Sequence, residues 1–488
     1  MAASRSIELY LCDAQATTQL AQRLAPLLAA GDTVLLNGPI GAGKTHFCRS
    51  LIQTRLGRAE DVPSPTFTLV QLYEADVEIW HADLYRLSHP DEAQELGLDA
   101  AFDSAICLVE WPDRLGSLVP ANAIRISFSA DQDGRRVRID PGSRPILRAM
   151  LETEYRAELC AAFLRRCGWQ QARSEALSGD ASTRRYERLY LHGETRLLMD
   201  APPGQADSVV DFVHIDRHLL NIGLSAPRID AADMQNGFLL IEDFGADVFA
   251  RLMQNDPQTE RPLYEAAIDA LVHLQSSPPA AGLPALSVAD WAGSATLALD
   301  WYRFSVTGER VDPAQFCAAL QDSLARLADA PHVMILRDFH AENLMWLPER
   351  QGLRRVGLLD FQLAQMGQPG YDLVSLLQDA RRDVSSNVEA EMIQHFMSRK
   401  GLSEAAYLPG YACLGALRAL RILGIFARLC LVEGKTGYLA LMPRVWAHLQ
   451  RNLAHPELKS LRATCDALLP MPDAANIERI RMQCGNFR

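Results

Sequence analysis

The chain has 488 residues, 48% apolar and 22% charged, the balance of a water-soluble protein able to build more than one core. A formal net charge of −12 excludes bulk attraction to nucleic acid or to an anionic membrane, so a role near RNA would run through a protein partner or a local patch. Ten scattered cysteines form no CxxC pair, which argues against a zinc or dithiol site and fits a reducing cytosol.

In chain order, the first residues, Met1-Ala-Ala-Ser-Arg-Ser6, contain no apolar targeting run. Up to about Ile139, short apolar runs alternate with helical patterns, which predicts an α/β domain. Thr33-Val-Leu-Leu36 reads as a buried strand, His46 to Leu56 as a helix, and Val77 to Trp80 and Ile106 to Val109 as strands. Ile124 to Phe128 and Arg136 to Ile139 flank Asp131-Gln-Asp-Gly134 as a hairpin. Pro141-Gly-Ser-Arg-Pro145 breaks the pattern and reads as a linker, so the first domain is set at 1–143. A second, 152–470, opens with a helix from Glu152 to Cys167 that Gly168 ends. Its tail is mostly helical. The run from Cys413 to Val432 carries Arg418, Arg421 and Arg428, so it reads as a core helix and not a membrane span. The expected location is the cytoplasm, away from membrane.

Gly38-Pro-Ile-Gly41-Ala-Gly43-Lys44-Thr45 fits the P-loop pattern between a strand and a helix. The glycines let backbone N–H groups cradle phosphate, Lys44 brings a compact cation to the β/γ-phosphates, and Thr45 offers a hydroxyl to Mg²⁺. The chain uses Arg almost everywhere, and its only lysines are Lys44, Lys400, Lys435 and Lys459. Ile106-Cys-Leu-Val-Glu110 is an apolar strand ending in an acid, which makes Glu110 the first candidate for the metal and Asp83, at the end of Trp80-His-Ala-Asp83, the second.

From Ser6 to Pro141 the domain resembles the TsaE family of tRNA threonylcarbamoyladenosine biosynthesis ATPases. The resemblance rests on the P-loop, Ser64-Pro-Thr-Phe67, His81-Ala-Asp-Leu-Tyr-Arg86, Glu95-Leu-Gly-Leu98 and Val109-Glu-Trp111. It implies ATP hydrolysis that resets a partner complex of TsaD and TsaB, with tRNA involved only indirectly. It also implies that Thr66 senses the γ-phosphate and that Thr17, in a helix before the first strand, lies near the base.

The second domain holds Ile335-Leu-Arg-Asp338-Phe-His-Ala-Glu-Asn343, then Val356-Gly-Leu-Leu-Asp360-Phe-Gln362. Phosphoryl transfer from ATP needs a group to orient and deprotonate an acceptor hydroxyl, and ligands for Mg²⁺. Asp338 suits the first role, Asn343 and Asp360 the second.

This pattern resembles the aminoglycoside-phosphotransferase branch of the bilobal, α+β protein-kinase-like fold, from about Glu152 to Leu469. Leu239-Leu-Ile-Glu-Asp243 matches the hinge and Gly367-Gln-Pro-Gly-Tyr-Asp372 follows the metal aspartate. Asp243-Phe-Gly245 imitates the kinase metal triplet but precedes the catalytic loop. Gly179-Asp-Ala-Ser-Thr-Arg-Arg-Tyr186, Met199-Asp-Ala-Pro-Pro203 and Leu336-Arg-Asp-Phe-His340 are most similar to the AmgK group, anomeric kinases of N-acetylmuramate and N-acetylglucosamine. The resemblance implies transfer of the γ-phosphate to the C1 hydroxyl of an amino sugar, in peptidoglycan recycling. Leu336 stands where many such phosphotransferases carry His. No lysine lies between Lys44 and Lys400, so the N-lobe lysine is missing and Met199 stands about where it would be. Arg184, Arg185 and Arg196 are the candidate replacements. Two other readings stay open for this domain: a binding or regulatory module for the ATPase, or a kinase for another small alcohol such as an aminoglycoside.

Overall fold

The computed structural model describes residues 6–131, 133–177, 184–204 and 209–487. The chain divides into two compact units, Met1–Gln171 and Ala172–Arg488.

In the first unit the order is β1 (Ile7–Leu11), α1 (Ala14–Leu24), β2 (Thr33–Asn37), α2 (Lys44–Leu56), β3 (Val70–Tyr73), β4 (Ile79–Asp83), α3 (Asp91–Glu95), α4 (Leu98–Ser104), β5 (Ile106–Glu110), β6 (Ile124–Asp131), β7 (Gly134–Asp140) and α5 (Pro145–Arg166). The strands form one sheet in the order β1-β7-β6-β2-β5-β4-β3. The β2, β4, β5 and β6 pairings are parallel, while β1, β3 and β7 join antiparallel. Alternation along the central strands builds a core on each face. Val34, Leu36, Ile106 and Leu108 pack with Phe47 and Leu51 of α2. Leu35, Cys107 and Val109 pack with Leu98 and Phe102 of α4.

Three sequence expectations shift. A strand, β1, precedes Thr17, which therefore lies after the first strand and not before it. The strand placed at Val77–Trp80 runs instead to Asp83. The helix expected from Glu152 starts at Pro145, because a proline at the first helical position lacks only an N–H that the helix would leave unpaired. This helix falls with the first unit: Leu147 and Leu151 enter its core, and Glu158 accepts the Tyr10 N–H at 2.9 Å.

The second unit begins with β8 (Arg173–Leu177), β9 (Arg185–Leu191), β10 (Glu194–Asp200), α6 (Val209–Asn221), β11 (Ile229–Asp233) and β12 (Phe238–Glu242). Its antiparallel sheet has the order β11-β12-β10-β9-β8. Helices α7 (Phe249–Asn255), α8 (Glu260–Ser276), α9 (Val288–Ser294), α10 (Phe304–Thr307) and α11 (Ala314–Leu327) follow. Next come β13 (Val333–Ile335), β14 (Leu344–Trp346), β15 (Val356–Leu358) and β16 (Gln365–Gly367), which pair as β13 with β16 and β14 with β15. The unit closes with α12 (Gly370–Leu377), α13 (Ser386–Lys400), α14 (Glu404–Glu433), α15 (Met442–Leu453), α16 (Lys459–Leu468) and α17 (Ala474–Met482). Cys413, Leu417, Leu420 and Leu423 of α14 are buried in this unit's core. Among the described residues no helix is long and apolar enough to cross a membrane.

Asp216 on α6 is 1% exposed, and neither carboxylate oxygen has a hydrogen-bond partner among the described residues. Burial pushes its pKa up to about 7, against the opposing pull of Arg217 and with some help from Glu242. A carboxyl whose folded value is raised adds stability in full below its unfolded value of about 4, and loses it as pH rises through the folded value. Asp216→Asn is therefore expected to stabilise the second unit by about 1–3 kcal/mol at pH 8 and by much less at pH 5. Denaturant unfolding at the two pH values checks this. An equal gain at both would show that ionisation of Asp216 is not the cost.

Candidate active sites

In the first unit, β2 delivers the chain to a loop in which Gly38, Gly41 and Gly43 take φ values of 143°, 78° and 103°. A Cβ on Gly38 would lie 2.7 Å from the Phe128 carbonyl oxygen, so the loop can pass β6 only with glycine there. Helix α2 starts at Lys44 and aims its N-terminal turn at the same space.

Sheet register gathers the acids. Asp83 and Glu110 are paired neighbours at the ends of β4 and β5. Both share parity with Ile79, Ile106 and Leu108, which point into the core on the α2 side. Thr45 Oγ1 of α2 then donates to Glu110 Oε2 at 3.1 Å. His81 Nε2, fully buried, lies 3.1 Å from Glu110 Oε1. Ser64 and Thr66 hydroxyls donate to Asp83 Oδ2 at 2.6 and 2.7 Å, and the Tyr85 N–H to Oδ1 at 3.1 Å.

Lys44 is 4% exposed. Its Nζ donates to the Gly38 and Pro39 carbonyls at 2.8 and 3.0 Å and lies 4.1 Å from the centre of the Trp111 ring. Burial lowers its pKa, and the charges of Glu110 and Asp83 oppose that shift. Trp111 holds a left-handed backbone, φ 61°, uncommon for a bulky residue and a mark of a constrained site.

Gly41, Gly43, Lys44, Thr45, Thr66, Asp83, Glu110 and Trp111 line one cleft of about 370 Å³. The Thr45, Asp83 and Glu110 donors that line the cleft are oxygen, the set a hard cation such as Mg²⁺ takes, while a nitrogen of His81 and the Cys48 thiol, both fully buried and outside the lining, lie within 4.8 Å of a Glu110 oxygen. Thr17 is outside this lining, buried on α1 with its hydroxyl 3.3 Å from the Asp13 carbonyl. Sequence reasoning placed Ser64 in a switch-like segment with Thr66, on the resemblance, but gave no role to His81, although it sits in a quoted motif; only the fold shows which acid each meets.

In the second unit, Asp338 lies on the loop between β13 and β14. Arg337 before it has φ 72°. That backbone is pinned from several sides. Asp372, fully buried in the first turn of α12, accepts the Leu336 and Arg337 N–H groups at 2.7 and 2.9 Å. Arg418 and Ser375 donate to the Arg337 carbonyl at 3.1 and 3.2 Å. Burial raises Asp372 to about 6, against those two N–H bonds.

Asn343 Nδ2 donates to the Asp338 carbonyl at 2.9 Å. The β14–β15 pairing sets Leu344 opposite Leu358, and the Leu359 N–H bonds the Asn343 carbonyl at 3.0 Å. Asn343 thus stands beside the strand end that carries Asp360. Asp360 has φ 54°, and its Oδ1 accepts from Gln362 Nε2 at 2.7 Å. Asp338, Asn343 and Asp360 offer oxygen donors only, again the chemistry of Mg²⁺. Asp243-Phe-Gly245 sits after β12, where Arg188 donates to the Asp243 carboxylate at 2.7 and 3.0 Å.

Two groups beside Asp338 were not read from the sequence. His340 is buried, and burial with the nearby Arg381 and Arg418 charges pushes its pKa down to about 3. Arg381 Nη1 lies 3.5 Å from His340 Nε2. Arg382 pairs with Glu260 and Arg444 with Asp383, while the charge of Arg381 acts on the buried Asp379, whose Oδ1 accepts the Arg381 backbone N–H at 2.8 Å. Of the Gly179–Tyr186 run, residues 178–183 lie outside the described residues.

The model of the "Threonylcarbamoyl adenosine biosynthesis protein TsaE" family matches residues 11–138, and that of the "Phosphotransferase enzyme family" matches residues 174–413. The tRNA threonylcarbamoyladenosine biosynthesis protein TsaE of Rickettsia conorii is 41% identical over 122 residues, 25% of this chain and 70% of that protein. The N-acetylmuramate/N-acetylglucosamine kinase of Caulobacter vibrioides is 38% identical over 349 residues, 64% of this chain and 96% of that protein. Among solved structures, a choline/ethanolamine kinase family protein from Mesorhizobium loti aligns with a TM-score of 0.44 and 17% identity, over 68% of this chain and 99% of that one. The chain thus belongs to two families joined in one polypeptide, TsaE at its N-terminal end and the N-acetylmuramate/N-acetylglucosamine kinases of the phosphotransferase enzyme family in the remainder.

Proposed function

We propose that the chain is a bifunctional ATP-using enzyme. The first unit hydrolyses ATP in support of threonylcarbamoyl modification of tRNA adenosine, acting on TsaD- and TsaB-like partners, with tRNA engaged only through them. The second transfers the γ-phosphate of ATP to the anomeric hydroxyl of N-acetylmuramate or N-acetylglucosamine. The observation that carries this is the presence of two separate oxygen-donor sites, one on the Gly38–Thr45 loop and one around Asp338, each in a chain segment with its own named relatives.

In the first unit, Lys44 meets the β/γ-phosphates and Thr66, tied to Asp83, reads the γ-phosphate. Thr45, Glu110 and Asp83 would hold Mg²⁺. Thr17 is assigned near the base on the resemblance alone. In the second, Asp338 orients the sugar hydroxyl and takes its proton as the new P–O bond forms and ADP leaves. Asn343 and Asp360 would hold Mg²⁺. Bound at either site, the ion neutralises charge on the phosphates. The setting is cytoplasmic.

Arg381 favours an amino-sugar acid over a polycationic acceptor. An aminoglycoside needs exposed carboxylates around the base, whereas the guanidinium beside His340, at 3.5 Å from its Nε2, offers a positive charge that an anionic acceptor can share. N-acetylmuramate differs from N-acetylglucosamine by a lactyl carboxylate. Arg381→Ala should raise KM for N-acetylmuramate about tenfold and leave N-acetylglucosamine within about twofold, as one charge-assisted hydrogen bond predicts.

The test of the whole reading is ADP release by the full chain with ATP and Mg²⁺, with and without each sugar, and identification of the phosphorylated carbon by NMR. Sugar-dependent release with phosphate on C1 is expected. No stimulation by either sugar would leave the second unit as a binding module or a kinase for another acceptor.

A further inference from the structure

The spacing of the cysteines along the chain shows no metal motif, but the fold of the first unit gathers ligand atoms from three separate elements. Cys48 stands on α2 three residues after Thr45, so the two share a face of that helix. His81 on β4 shares parity with Ile79 and Asp83, on the side of the sheet that meets α2. Glu110 ends β5, and its two oxygens divide between these elements. Oε2 accepts from Thr45 at 3.1 Å, and Oε1 lies 3.1 Å from His81 Nε2. The Cys48 sulfur, a His81 nitrogen and a Glu110 oxygen all lie within 4.8 Å of one another, and all three residues are buried.

This set differs in kind from the oxygen donors that line the cleft. A thiol, an imidazole and a carboxylate together suit a cation of the zinc class, whereas Mg²⁺ takes oxygen alone. Bonds of about 2.0–2.3 Å around tetrahedral zinc put neighbouring ligand atoms about 3.3–3.6 Å apart. Glu110 and His81 already stand closer than that, and the sulfur has at most about 1.5 Å to close. His81 Nδ1 is buried without a hydrogen-bond partner among the described residues. No second contact therefore pins the ring proton to one nitrogen, and either nitrogen can present its lone pair.

We propose that Cys48, His81 and Glu110 form an inhibitory site for a zinc-class divalent cation, one helical turn further along α2 than Thr45. Binding forms bonds from sulfur, nitrogen and oxygen to the cation and releases the thiol proton to solvent, with no electron transferred. Glu110 is then withdrawn from the Mg²⁺ position beside Thr45, and ATP hydrolysis by the first unit stops. The inhibitory half rests on the ATPase reading of that unit, while the binding half does not.

The test titrates the full chain with Co²⁺ and then Zn²⁺, without nucleotide, and follows the near-ultraviolet sulfur-to-cobalt charge-transfer band, which an oxygen-only site cannot give. About one equivalent of Co²⁺ should raise the band and about one equivalent of Zn²⁺ should remove it, as the tighter binder of the two at such a site. Cys48→Ala should lose the band. Inhibition is read as the ratio of partner-stimulated ATP hydrolysis with and without Zn²⁺, in excess Mg²⁺. That ratio should fall about tenfold or more in the parent and stay within about twofold of unity in Cys48→Ala. No band in the parent, or a band that survives Cys48→Ala, would overturn the site. An equal fall in both proteins would overturn the inhibitory role, because zinc would then act at the Mg²⁺ position itself, and so would no fall in either. If Cys48→Ala does not fold, as judged by its near-UV circular dichroism, Cys48→Ser carries the same two readings. A parent that hydrolyses no ATP with partners even without zinc would overturn the ATPase reading, and with it the inhibitory half, while the spectrum still decides the binding half.

Discussion

Asp338→Asn is expected to lower sugar-dependent ADP release by about 10²–10⁴-fold, the span that loss of a general base commonly produces. The substitution keeps shape and removes the proton acceptor. Little else at the loop should move. Asn343 bonds the backbone carbonyl of residue 338 and not its side chain. The left-handed turn at Arg337 is fixed by Asp372, Ser375 and Arg418, none of which touches the Asp338 carboxylate by a hydrogen bond. So kcat should fall while the KM for ATP stays within a few-fold and the melting temperature stays near that of the parent. Steady-state ADP release with N-acetylglucosamine reads the first, calorimetry the second. Turnover near the parental rate in Asp338→Asn would remove Asp338 from the mechanism.

How much of this was legible beforehand depends on the range of the interactions. The P-loop was readable because its chemistry is local: glycines, Lys44 and Thr45 are contiguous, and the flanking strand and helix have strong patterns. Glu110 and Asp83 were readable as strand ends. That they would be register neighbours was not, because pairing of β4 with β5 joins residues far apart in sequence. Strand β1 was missed for a related reason. Ile7-Glu-Leu-Tyr-Leu11 alternates weakly, and it is a strand because β7 pairs with it along Ile7 to Leu11. The linker reading failed at Pro145 because a proline that ends one pattern can also begin a helix. Asp372 shows the limit in the second unit. The sequence marked Gly367-Gln-Pro-Gly-Tyr-Asp372 as a motif, but its work is to hold the backbone of residues 336 and 337, and no local pattern encodes that contact. Arg381 and His340 come together across 41 residues, and again only the fold brings them to one place.

Lys44→Ala should lower partner-stimulated ATP hydrolysis by about 10²–10³-fold, comparable to deleting one preorganised electrostatic donor, while sugar-dependent ADP release persists. The sharper form is Lys44→Arg. In a chain this rich in arginine, the lysine at 44 has a geometric reason. Its amine is enclosed by the Gly38 and Pro39 carbonyls and the Trp111 ring, at 2.8, 3.0 and 4.1 Å, with only 4% of the residue exposed. A guanidinium is wider and planar, and it cannot enter that space without displacing Trp111 from its left-handed turn or opening the loop past Gly38. Conserving the charge should therefore rescue little, and Lys44→Arg should stay within about tenfold of Lys44→Ala. ATP hydrolysis measured with TsaD- and TsaB-type partners present, on both variants and in the absence of sugar, decides it. Near-parental hydrolysis by Lys44→Arg would show that charge alone matters at this position and that the close fit around the amine does not. Loss of the sugar-dependent signal in Lys44→Ala would show something larger: that the two units share one nucleotide site or act only together.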